Sequence, residues 1–148
     1  MRARNIASRH YTVAAEAPAS EAAGILSRLD VRAVLVVDAD GRLAGVLTDS
    51  RLLAALLPDY VEEDAALARV LEEDATDVLW RRLEGRSAAD LLDAHEGPHP
   101  EVDGGARLIE VAAMMVHTRL SLVGVRDQGQ LMGGISIDDL LTHLLRAR

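Results

Sequence analysis

The chain writes one supersecondary unit twice, and this duplication limits its fold more than any other feature. Aligning Gly45 with Gly133 carries "VVDADGRLAGVLTDSRLL" onto "GVRDQGQLMGGISIDDLL" without a gap. Upstream, with one residue deleted, "EAAGILSRLDVRAVLVV" falls on "EVAAMMVHTRLSLVGV" and Val13 falls on Val102; further back, "ARNI" resembles "AADL" at Ala88 to Leu91. Two copies of one unit, related by an internal pseudo-two-fold, are the economical reading.

Each copy reads strand, helix, strand, strand, helix. An extended piece around Val13 or Val102 precedes an amphipathic helix beginning at Ser20-Glu21 or near Glu110. Ala22, Ile25, Leu26 and Leu29 recur at helical spacing in the first copy, and Val111, Met114 and Met115 do so in the second. A buried-type strand follows, "AVLVV" or "LSLVGV". The turn "DADG" or "DQG" then folds it back antiparallel onto a strand ending at Gly45-Val46-Leu47 or Gly134-Ile135. The last helix is "DSRLLAALL" or "DDLLTHLL". The expected class is α+β, each unit a small sheet with helices on one face, over residues 1–57 and 86–148. Between them, residues 58–85 place Leu67, Val70 and Leu71, then Val78, Leu79 and Leu83, at helical spacing with Gly85 as a stop. This predicts an acidic helical insert. Its "EED" runs read as solvated faces, with a docking surface for a partner protein or a lid as the alternative.

The second copy carries GxxSxxD at Gly133, Ser136 and Asp139, where the first has GxxTxxR at Gly45, Thr48 and Arg51. Ser136 and Asp139 have close to the spacing of a capping box, in which hydroxyl and carboxylate satisfy orphan amides at a helix start. The same geometry suits a ligand. A helix N-terminus attracts phosphate, a preceding glycine lets backbone approach closely, and a carboxylate accepts both hydrogens of a ribose cis-diol. Arg51 cannot accept those hydrogens, and a cation in a first helical turn is unfavourable by roughly 0.3–1 kcal/mol. A carboxylate such as Asp49, one from the insert, or a ligand phosphate is expected to offset it.

At these residues the chain resembles a tandem pair of CBS domains, the Bateman module, over nearly all of 1–57 and 86–148. The resemblance implies a non-catalytic regulatory module that binds an adenosine-containing ligand, such as AMP, ADP, ATP or S-adenosylmethionine, in the clefts between its halves. It also implies pairing into a homodimer. Carried over to this sequence, Thr48, Ser136 and Asp139 contact phosphate and ribose. Ala33, Val34, Ser121 and Leu122, with Thr12 and Glu101, line the adenine. No cofactor is obligatory, though Mg²⁺ could accompany a phosphate.

Composition narrows the partners. Sixteen basic residues, all Arg, against 24 acidic ones leave a net charge of −8, which disfavours nucleic acid and anionic membrane surfaces. Aromatics are 2% with no Phe, so stacking platforms for bases are scarce. The longest apolar run, "AVLVV", is far shorter than the ~20 residues of a membrane span. No secretory signal is visible, so cytoplasmic residence is expected. There is no cysteine, hence neither disulfide nor thiolate site. "HEGPH" at 95–99 has the letters of a zincin motif, but Gly97 and Pro98 argue for a loop. Met114, Met115 and Trp80 read as core. Two rivals remain open: an interaction module without ligand, favoured by Arg51, and a metal-dependent enzyme built on "HEGPH".

Overall fold

The computed structural model describes residues 1–28, 31–57, 64–70, 76–92 and 99–146. After a short helix α1 (Ala3–Ile6), the first copy runs β1 (Thr12–Ala14), α2 (Ala19–Arg28), β2 (Ala33–Val37), β3 (Leu43–Thr48), α3 (Asp49–Leu56). The second runs β4 (Glu101–Asp103), α5 (Leu108–Thr118), β5 (Leu122–Asp127), β6 (Gln130–Ser136), α6 (Ile137–Arg146). Each forms a three-stranded sheet with its middle strand parallel to the first and antiparallel to the third. The repeat holds in the registers, because Val13 faces Val36 as Val102 faces Val125. Both hairpins carry an irregularity at the same step, Val36/Val37 and Val125/Arg126.

Strand alternation sorts the side chains. Val34, Val36 and Leu47 join Ala22, Leu26 and Leu52 in a core beneath α2 and α3, and Val123, Val125 and Ile135 join Val111, Met115 and Leu140 beneath α5 and α6. The opposite faces meet each other: Ala33, Leu35 and Leu43 pack with Leu122. Gly134 makes this approach feasible, since a Cβ there would lie 2.7 Å from Leu35 Cδ1.

The lead-in segments cross over. α1 packs on the second half: Ala3 is fully buried in that core, its N–H donates to Ala106 O (2.8 Å), and Arg4 N–H donates to Gly104 O (3.0 Å). Its counterpart, a 3-10 turn at Ala89–Leu91, packs on the first half. There Ala88 N–H donates to Ala17 O (2.8 Å), Ala89 N–H to Ala15 O (3.0 Å), and Leu91 is fully buried beside Leu47 and Leu52. The caps match too. Asn5 Oδ1 accepts from Arg2 N (2.7 Å) and Asp90 Oδ2 from Ser87 N (2.8 Å); that amide, then the Ser87 hydroxyl, hold the Asp90 carboxyl below its usual range.

The described parts of the insert are a 3-10 stretch (Ala65–Val70) and α4 (Thr76–Arg81), after which two reverse turns lead to Gly85. Leu71 of its expected helical spacing, like Leu29 of the first helix, lies outside the described residues. Leu83 is buried in the first core. Trp80, expected in the core, is 50% exposed: α4 is one and a half turns long and leaves its indole at the wall of a surface depression beside Pro18 and Leu83.

Candidate functional site

Where β6 ends, Ser136 and Asp139 close a capping box on α6. Asp139 N–H donates to Ser136 Oγ (3.1 Å), and Ser136 N–H donates back to Asp139 Oδ2 (3.3 Å). The expected cap therefore exists, and it holds both side chains at the mouth of a cleft between the halves. A cavity of about 480 Å³ opens there, lined on one side by Ser121, Leu122, Ser136 and Asp139 and on the other by Ala33 and Arg32. With Tyr11, residues from four separate stretches of sequence converge on one space.

Two groups in this space escaped the sequence reading. Tyr11, the last residue before β1, donates its phenol hydrogen to Asp139 Oδ2 at 2.8 Å, and its oxygen lies 3.3 Å from Ser136 Oγ. Half-buried, its ring packs on the cluster of Ala33, Leu35, Leu43 and Leu122. Burial pushes its pKa up; the Ser136 contact opposes this, while the bond to Asp139 and the charges of Asp139 and Asp138 add to it. Tyr11 is one of only two tyrosines in the chain, the one local sign that could have singled it out. Arg32, immediately before β2, brings an exposed guanidinium to the cavity wall. Its position ahead of "AVLVV" marked it as strand flank and nothing more.

The remaining candidates lie elsewhere. Gly133 faces the chain itself: a Cβ there would sit 2.8 Å from the backbone of Ser8, which exchanges hydrogen bonds with Gly134 in both directions (2.8 Å each). The close approach expected of a ligand is made by the lead-in. Val34 is fully buried in the first core. Thr12 Oγ1 donates to Arg9 O (2.8 Å), and Glu101 pairs with Arg126 (2.8 Å); neither lines the cavity.

The pseudo-symmetric position is built differently. Thr48 caps α3 by accepting from Arg51 N (3.2 Å), and Arg51 Nε donates to Leu91 O (3.2 Å). A backbone carbonyl of the second lead-in is thus one acceptor of this cation; the carboxylates at 62–63 and 72–74 of the insert lie outside the described residues. At Gly45 a Cβ would come within 3.0 Å of Leu92 Cδ1. Thr48, Arg51 and Gly45 do not line the Asp139 cavity. A second depression, about 540 Å³, lies between Pro18, Trp80 and Arg86 and gathers none of the expected site residues. In the HEGPH stretch, residues 95–98 lie outside the described residues, and His99 is exposed. Among the described residues no three His, Asp or Glu side chains are grouped to hold a metal.

The CBS domain family model matches residues 3–58 and 98–146. The chain belongs to the CBS-domain family. A CBS domain-containing protein of unknown function from Kribbella flavida is 30% identical, with a TM-score of 0.84 over 98% of this chain and 99% of that one. Similar folds are seen in CBSX2 in complex with AMP, at 20% identity and TM-score 0.66 over 99% and 97% of the chains. Hypoxic Response Protein I, with two coordinated zinc ions, follows at 22% and 0.67 over 97% and 98%. No curated protein matches this CBS chain.

Proposed function

We propose that this CBS pair is a non-catalytic regulatory module that binds an adenosine-containing ligand at the Asp139 cleft and signals by a change in the relation of its halves. The observation that carries the reading is the convergence of Ser136, Asp139, Ser121, Leu122 and Ala33 on one cavity. That cavity offers a carboxylate for a ribose diol, a hydroxyl, aliphatic walls for a purine, and an arginine for phosphate. The AMP held by the similarly folded CBSX2 supports the same ligand class. A nucleotide of this kind is an intracellular metabolite, so the proposal carries cytoplasmic residence with it. Because both halves wall the cavity, a ligand that binds one arrangement of them more tightly shifts their equilibrium.

The helices suggest what the shift is read by. Ile109 (65% exposed) and Val116 (80%) on α5, with Leu141 (48%) and Leu145 (63%) on α6, leave apolar side chains in solvent. Buried between two copies they would form a homodimer core. A ligand-free interaction module is the second reading. It is favoured by the first cleft, where Arg51 replaces the diol-accepting carboxylate and donates to Leu91 O.

The test is thermal stability of the purified chain against AMP, ADP, ATP, S-adenosylmethionine and cyclic dinucleotides, with and without Mg²⁺. A ligand at 100 times its Kd stabilises by about 2.7 kcal/mol, a shift of several degrees. Asp139→Ala is expected to abolish the shift. Silence across the panel would favour the interaction module.

A further inference from the structure

We propose that Tyr11 sets which sugars the Asp139 site accepts, by holding one of the two carboxylate oxygens that a ribose cis-diol requires. The inference rests on the nucleotide-binding reading above. Asp139 Oδ2 already receives the Tyr11 phenol (2.8 Å) and the Ser136 amide (3.3 Å). Oδ1 receives no hydrogen bond among the described residues. A vicinal diol places one hydroxyl on each oxygen of a carboxylate, so a ribonucleotide has to take Oδ2 from the phenol. A 2′-deoxynucleotide, with only its 3′-hydroxyl, is served by Oδ1 and leaves the phenol in place. Competition with Tyr11 therefore falls on ribonucleotides alone.

The competitor is well placed to act. The Tyr11 ring is held against Leu35 and Leu122, and its backbone is bounded by the Ser8–Gly134 pairing on one side and β1 on the other. It sits at the junction where the lead-in, docked on the second half, enters the sheet of the first. Displacing its hydroxyl thus acts on a piece of chain that is anchored to both halves.

Calorimetric titration of the full chain and of Tyr11→Phe with AMP and 2′-deoxy-AMP tests this. Phenylalanine keeps the ring and its packing and removes only the competing hydroxyl. AMP affinity is expected to rise about tenfold in Y11F, the scale of one hydrogen bond to a charged acceptor, while 2′-deoxy-AMP changes less than about twofold. Tyr11→Leu should show the same selective gain, which covers the case of a poorly folded Y11F. An equal gain for both nucleotides, no gain, or a loss would overturn the role of Tyr11 while leaving the nucleotide site standing. If the folded wild type and both variants bind neither nucleotide, the site does not take an adenosine monophosphate and this inference falls, while the wider adenosyl panel above decides the site itself.

Discussion

Asp139 has three partners: the Ser136 amide, the Tyr11 phenol and, in the reading above, a sugar that takes the place of the phenol. Of these, the phenol can be followed without ligand. The native Tyr11 holds its proton to higher pH than a free tyrosine, through burial first and then through the bond to Asp139 and the nearby acidic charges. Above about pH 10 the unfolded chain sheds a proton that the native chain retains, so native stability falls as pH rises through the folded pKa. Below that window the contribution is constant. Melting curves of wild type and Y11F from pH 8 to 11 should therefore run parallel up to about pH 10 and converge above it; parallel curves throughout would contradict the contact. Ser136 and Asp139 were legible in the sequence because the motif recurs and its spacing has local physics, a helix start needing acceptors. Tyr11 was not, because its partner lies 128 positions away and nothing local advertises a contact of that range.

At the scale of elements, the two lead-ins exchange places. Leu91 is fully buried in the first half's core, and Ala3 equally so in the second's. Leu91→Ala should cost about 2–5 kcal/mol in urea unfolding, although the residue follows the insert and belongs by sequence to the second copy. A cost below 1 kcal/mol would show that the docked turn is dispensable. The strands, hairpins and main helices were readable from period and turn chemistry, since those signals are local to each element. The match of "ARNI" to "AADL" revealed that the lead-ins are equivalent, yet periodicity says nothing about which neighbour a segment lies on. Trp80 was misjudged for a related reason: an apolar residue in a short helix is buried only if the turn directs it inward, and α4 is too short to fix that from spacing.

Across the whole molecule the duplication is exact in topology and unequal in chemistry. One cleft ends in a carboxylate, the other in a guanidinium bonded to Leu91 O, so under the proposed function one ligand per chain is expected rather than two. The exposed apolar residues of α5 and α6 form the other large-scale feature. If they pair two copies, the double variant Val116→Glu and Leu145→Glu should sediment as a monomer and keep its nucleotide affinity. A wild type already monomeric at micromolar concentration would rule the pairing out.

The crossing of the lead-ins also imposes an order on synthesis. Ala3 and Ser8 are translated before the first half, but the backbone groups they bond, at Ala106 and Gly134, follow more than a hundred residues later. At about 5–20 residues per second the nascent N-terminal segment waits roughly 5–25 s for its seat. The second lead-in finds its acceptors, Ala15 and Ala17, already made. The first half can thus close on the nascent chain as soon as Leu92 has cleared the exit tunnel, whereas the second half is completed only by reaching back to a segment translated before the whole of the first half.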